Sequence, residues 1–269
     1  VITSIPVYYT IMMSFKDIPT TYAESWGTVP KLIPFLQFEP SLVGYTTLKD
    51  TVPQFPKAFT NSIIIGAVSS LLAVAVGTLA GYSLSRFKFS IFGRWRNEDI
   101  NFLFLAVQMI PPVIFLVPFF VMFATLRMID TLPTIITVHM IMSIPFAAWM
   151  SKAYLDEIPR DVEESAYIDG CTPLTALMRV TLPLAAPGMV IIGILCFLGS
   201  WNEFLFAMIL TYRDAVTVPV VAAGTVSDLI ARWWNLGAIS TSLIFPPIVF
   251  SLFIQKYIVR GLTLGAVKG

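Results

Sequence analysis

The chain has 269 residues, 57% of them apolar and only 12% charged, where an ordinary soluble domain carries about 25% charge. Lipid is the solvent that tolerates so much apolar surface, so the length divides into membrane spans rather than soluble domains. With 17 Lys plus Arg against 16 Asp plus Glu, no basic excess exists to release counterions from phosphates, which argues against nucleic acid as a partner. Cys171 and Cys196 have no second pair beside them; they make neither a disulfide framework nor a zinc cluster and are expected to be packing residues.

In chain order, the apolar run 1–15 is shorter than the about 20 residues a bilayer crossing needs. It reads as a truncated first helix, without the basic n-region and small-residue cleavage site of a signal peptide. Longer apolar runs follow at 59–84, 101–126, 132–151, 185–210 and 236–254, each near or above spanning length. The expectation is an all-α, polytopic membrane protein of six transmembrane helices, the first truncated, forming a single transmembrane domain over 1–269. Short loops on one side carry Arg86, Lys88, Arg94, Arg96, Lys152, Arg160, Arg179, Lys256, Arg260 and Lys268, against Arg127, Arg213 and Arg232 on the other. The excess of short-loop cations marks the cytoplasmic side, which places both termini inside the cell and 16–57 outside as a loop rich in proline (Pro19, Pro30, Pro34, Pro40, Pro53, Pro56).

Prolines interrupt several spans: Pro111, Pro112, Pro118, Pro145, Pro246 and Pro247. A backbone group freed by proline in lipid must be satisfied by neighbouring helices or cavity water, so such breaks are either packing kinks or the lining of a pathway. Gly77 and Gly81 make a small-xxx-small pair that lets another helix approach closely.

Between the fourth and fifth spans, 152–183 is much longer than a simple helix reversal needs. After Pro159, residues 160–168 contain no helix breaker and place Asp161, Glu163 and Glu164 in the first turns, where carboxylates suit the helix dipole. Gly170 stands where a helix end favours a left-handed residue, and Thr172 with Pro173 reads as the N-cap and first position of a second helix. Leu182 and Pro183 are expected to stop that helix. Ser165 and Ala166 offer a small surface able to enter a cleft, beside carboxylates suited to a basic partner.

Glu164, Ser165 and Ala166, then three residues, Gly170, nine residues, and Val180, Thr181, Leu182 and Pro183 resemble the EAA signature of ABC-importer permeases. Residues 158–170 (IPRDVEESAYIDG), 182–188 (LPLAAPG), 201–204 (WNEF) and 255–269 (QKYIVRGLTLGAVKG) are similar to the shorter permease subunit of the maltose-type, carbohydrate-importing branch. The resemblance covers essentially the whole chain. It implies the binding-protein-dependent ABC importer permease fold in the inner membrane, with a homologous second permease, a cytoplasmic ATPase dimer and an extracytoplasmic solute-binding protein as partners. It also implies that the loop 152–183 couples to the ATPase through Glu163, Glu164, Ser165, Ala166, Asp169 and Gly170, and that Arg260 and Lys268 in the cytoplasmic tail 255–269 contact the same partner. Lys256 reads as a positive-inside anchor.

A charge within a span is a functional candidate by default. Glu203 lies about 27 Å along an ideal helix from Ala185, towards the outer part of the bilayer, next to Trp201 and Asn202. Carboxylate, amide and indole suit sugar hydroxyls and ring faces, so these three form a candidate substrate path, with a helix-packing hydrogen bond as the equal alternative for Glu203. His139 reads as a hydrogen-bonded packing residue rather than a proton relay, and Gln108 as a weaker signal of the same kind. Trp233 and Trp234, in the external loop after Tyr212, suit an interfacial belt. No Gly-x4-Gly-Lys-Ser/Thr phosphate loop occurs, so an ATP-driven importer needs ATP and Mg on a partner subunit, with no cofactor in this chain. An ion-coupled secondary transporter would want paired intramembrane charges or an inverted repeat, and a passive scaffold would leave the long polar loop unexplained.

Overall fold

Backbone groups in lipid must bond within their own segment, and the apolar runs accordingly wind into helices. The computed structural model describes residues 4–16, 32–90, 95–226 and 233–265; among these, extended pairing is limited to isolated bridges, one of them between Pro34 and Phe38. In chain order the helices are α1 (Ser4–Ser14), α2 (Val43–Thr46), α3 (Leu48–Thr51), α4 (Phe55–Arg86), α5 (Asn97–Met109), α6 (Leu116–Thr125) and α7 (Leu132–Asp156). They continue with α8 (Arg160–Ile168), α9 (Pro173–Ala176), α10 (Leu182–Trp201), α11 (Leu205–Leu210), α12 (Val218–Val226) and α13 (Trp233–Gly265).

Among the described residues, four stretches are long and apolar enough to cross a membrane: α4, α7, Pro173–Trp201, and Trp234–Phe253 within α13. The expected third span is instead a bent pair, Asn97–Met109 with Pro112–Thr125, turned by 88°. Pro111 and Pro112 have no amide hydrogen and cannot continue the ladder of α5; a single 3₁₀ turn, Pro112–Phe115, restarts the chain into α6. The six expected spans are thus four continuous ones and one bent pair among the described residues, because α1 has 11 residues.

The chain divides into two compact units, Val1–Ser62 with Thr211–Phe253, and Ile63–Leu210 with Ile254–Gly269. In the first, Leu48, Ala58, Val216, Val218, Val221, Ala238 and Ile239 form the core. Asn61 Nδ2 donates to the carbonyls of Asp214 and Val216, each at 3.0 Å, and Thr47 donates to Asn235 Oδ1 at 3.0 Å. The segment expected as an external loop after Tyr212 therefore contains a packed turn and α12. Trp234 is 5% exposed, an internal residue rather than a belt residue, since its neighbours Ala238 and Ile239 continue the same buried face of α13.

The second unit holds two cores, one around Tyr82, Ala147, Leu155, Leu177, Met189 and Ile192, the other around Ile65, Leu116, Phe123, Ile135, Val138 and Phe206. The partner of the Gly77/Gly81 pair is α7. A Cβ on Gly77 would lie 2.5 Å from that of Ala147, and one on Gly81 would lie 2.7 Å from the amide nitrogen of Lys152. Backbone approach this close is what small residues permit.

Pro183 does not stop the second helix of the 152–183 loop. Residues Leu177–Thr181 wind as a π turn, in which the Leu182 amide donates to the Leu177 carbonyl five residues back. That widened turn makes room for a ring that would otherwise meet the Arg179 carbonyl, and α9 runs through it into α10. The loop and the fifth span are one helical rod from Pro173 to Trp201.

Candidate functional site

The loop folds as its capping residues dictate. Pro159 precedes α8, and Gly170 ends it with φ of +88°. The Cys171 amide donates to the Ala166 carbonyl at 2.9 Å, five residues back, the long bond of a Schellman ending. An added Cβ at Gly170 would meet nothing within 4 Å, so it is the left-handed backbone, not space, that favours glycine here. Thr172 accepts from the Thr175 amide at 3.3 Å and Pro173 occupies the first helical position. Cys171 and Cys196 are both free thiols.

α8 has two faces. Glu164, Ser165, Asp169 and Gly170 are exposed, and the Ser165 hydroxyl bonds back to the Asp161 carbonyl at 2.8 Å. Glu163 and Ala166, three residues apart, face inward and are 2% and 8% exposed. Placing Ala166 with Ser165 on one presented surface was therefore too broad: at 100° per residue the two point in different directions. Likewise, Glu163 does not stand beside Glu164. Its Oε1 accepts from Arg86 Nε and from the Thr181 hydroxyl, each at 2.8 Å, and its Oε2 accepts from the Tyr82 hydroxyl at 3.1 Å. Arg86 also donates from Nη2 to the Ile158 carbonyl at 3.1 Å, and Arg160 Nη2 donates to the Ser85 carbonyl at 2.7 Å. Arg86, counted in sequence among loop cations, is an interior ion-pair partner.

At the other end of α10 the apolar run 185–210 conceals a break. The helix ends at Trp201, and α11 starts at Leu205. Glu203 is thus not within a continuous helix. Its Oε1 accepts from the Phe206 amide at 2.8 Å and its Oε2 from the Ala207 amide at 3.1 Å, capping the orphan donors of α11. His139 of α7 lies 3.1 Å from the same carboxylate through Nε2 and 2.6 Å from the Ser200 hydroxyl through Nδ1. An ionised carboxylate only accepts, so Nε2–H donates to Glu203 and Nδ1 accepts the Ser200 proton in the neutral ring. Ser69 of α4 donates to Ser200 at 3.3 Å.

These groups open onto a cavity of about 560 Å³ lined by Gln108, His139, Ser143, Cys196, Ser200 and Glu203 with apolar neighbours, within the range of about 300–1,000 Å³ usual for small-molecule sites. Gln108 Nε2 donates to the Met142 carbonyl at 3.2 Å. Of the other path candidates, Trp201 is 1% exposed and stacked on Phe197 with ring centroids 5.9 Å apart, while Asn202 is exposed and bonds back to the Leu198 carbonyl at 2.8 Å. Neither lines the cavity. The His139–Glu203 pairing was not legible in sequence, because 64 residues separate two polar positions that only the packing of α7 against α10 brings together. The side chain of Arg260, and Lys268 entirely, lie outside the described residues.

The chain is thus a polytopic helical protein with a bent span, a largely apolar cavity edged by a few polar side chains and a capped helical hairpin between two spans. The family of binding-protein-dependent transport system inner membrane components matches residues 73–264, and the chain belongs to that family. It is 32% identical to the inner membrane ABC transporter permease protein YcjP of Escherichia coli, over 100% of this chain and 92% of that protein. It is also 32% identical to the trehalose transport system permease protein SugB of Mycobacterium tuberculosis, over 98% and 92%. In fold it is similar to a bacterial ABC transporter involved in import of the acidic polysaccharide alginate, with TM-score 0.73 at 21% identity, covering 95% of this chain and 90% of that one.

Proposed function

We propose that the chain is the permease subunit of an ATP-driven importer of a sugar or polyol, lining the path with a homologous second permease and receiving solute from an extracytoplasmic binding protein. Hydrolysis belongs to a cytoplasmic ATPase dimer that holds ATP and Mg; this chain contributes neither cofactor nor catalysis. The exposed face of α8, with Glu164, Ser165, Asp169 and Gly170, docks on that ATPase from the cytoplasmic side, where both termini also lie and where Arg260 and Lys268 of the tail reach the same partner. Glu203, with His139, Ser200 and Gln108, lines the solute path.

The observation that carries the reading is the split of α8 into a bonded inner face and a presented outer face at the EAA position. The names of the similar proteins support the solute class: one is a trehalose transport permease and another, from Thermococcus litoralis and 31% identical over 98% of this chain, a trehalose/maltose transport permease. Proteoliposomes holding both permeases and the ATPase test it with labelled trehalose and maltose and the cognate binding protein. Uptake is expected only with ATP and binding protein present. Uptake driven by an ion gradient without ATP would favour a secondary carrier instead.

A further inference from the structure

α8 has nine residues, too few for a helix to persist in water without tertiary support. Its apolar contacts are few, since only Glu163 and Ala166 of the helix are buried. Its polar ties to the spans centre on one carboxylate. Glu163 bonds to Arg86 and Tyr82 of α4 and to Thr181 of the π turn that leads into α10. The Glu163 and Arg86 side chains are 3% and 7% exposed. Bonds also run both ways between α4 and the approach to α8, from Arg86 to the Ile158 carbonyl and from Arg160 to the Ser85 carbonyl. Burying an ion pair carries a desolvation cost that apolar residues of similar volume would avoid. Apolar packing, however, would let a short helix slide or roll, whereas directional bonds to two spans fix its position and its angle.

We infer that Glu163 and Arg86 are positioning residues forming a clamp that makes α8 and the adjoining ends of α4 and α10 move as one body, so that a displacement imposed on the exposed face of α8 reaches two spans at once. Glu163 therefore serves transport from inside the subunit, through Arg86 and Thr181, while Glu164 on the outer face meets the partner. The inference rests on the reading of that exposed face as the ATPase dock.

The test uses the full complex of two permeases and ATPase dimer in nanodiscs, with Cys171→Ser and Cys196→Ser as background. Spin labels are placed at Val162→Cys on α8 and Leu71→Cys on α4, residues 37% and 71% exposed. Their separation is measured without nucleotide and after trapping with ADP and vanadate. In the otherwise unaltered chain the distance is expected to be the same in both states. Glu163→Gln is expected to keep that distance without nucleotide and to depart from it on trapping by about 1–2 Å, the size of an interface helix shift. Arg86→Lys, which keeps the cation but loses the fork, should depart in the same sense by less. A clamp that merely helps folding would alter the distance in both states alike, and that result overturns the inference. So does a distance that changes on trapping in the unaltered chain, or one that stays fixed in both variants. Glu164→Lys separates the two readings: if it leaves the ATPase bound, the docking surface is misplaced; if it releases the ATPase while both clamp variants stay fixed, only the clamp falls.

Discussion

One buried and one half-buried carboxylate in the second unit pair with side chains of different kinds, and the contrast sets the two ends of α10 apart. Glu163 pairs with Arg86, a permanent cation, with side chains 3% and 7% exposed. Glu203 pairs with His139, a cation only when protonated, with the carboxylate side chain 19% exposed towards the cavity. The first pair is closed on all sides by hydroxyls and carbonyls, as befits a fixed strut. The second caps a broken helix with one carboxylate and leaves an edge of that carboxylate at the cavity, where the solute path is proposed. A permanent cation inside a closed shell makes a rigid contact, whereas a carboxylate with an open edge stays available to the cavity.

This comparison is broken most severely at the closed end. Arg86→Ala leaves Glu163 buried without its cation, and losing one member of a buried pair costs about 3–5 kcal/mol; thermal denaturation of the purified complex should show it as the largest loss of the series. Gly77→Val comes next. Its first added carbon would already lie 2.5 Å from the Cβ of Ala147, and overpacking of this kind costs about 1–3 kcal/mol. The same denaturation measurement should rank it below Arg86→Ala, with α4 and α7 pushed apart.

The open end should respond less in stability and more in transport. Glu203→Gln keeps one acceptor oxygen where the carboxylate has two, so it holds only one of the Phe206 and Ala207 amides and weakens the contact with His139. The expected change in stability is about 1 kcal/mol, with ATPase association unchanged and uptake lowered. Uptake equal to the unaltered chain would remove Glu203 from the path, and failure of the permeases to assemble would make it a packing residue. Gly170→Val, at a φ of +88°, should cost about 1–3 kcal/mol of local strain and lower stimulated hydrolysis more than it lowers ATPase retention.

Much of this was legible in residue order because the signals were local. The apolar runs located α4 and α7; Pro111 and Pro112 located the break after α5; Gly170, Thr172 and Pro173 located the turn and the cap. What was not legible depended on neighbours distant in sequence. Pro183 reads as a stop because its missing donor is a local fact, while the π turn that tolerates it is not. The run 185–210 hid the end of α10 because hydropathy does not register a helix break between equally apolar halves. Glu163 and Glu164 look interchangeable in a string of letters, and only the angle between consecutive helix positions, together with the location of Arg86, sends one inward and the other out.

The central claim, that the outward face of α8 is where this permease receives its ATPase, is tested most directly by co-purification of the ATPase with Glu164→Lys. Reversing an exposed carboxylate at a desolvated contact is worth on the order of 2–5 kcal/mol, while the bonded inner face of the same helix is untouched. The account predicts that the two permeases still purify together and the ATPase is lost. Retention of the ATPase at the level of the unaltered chain would contradict it.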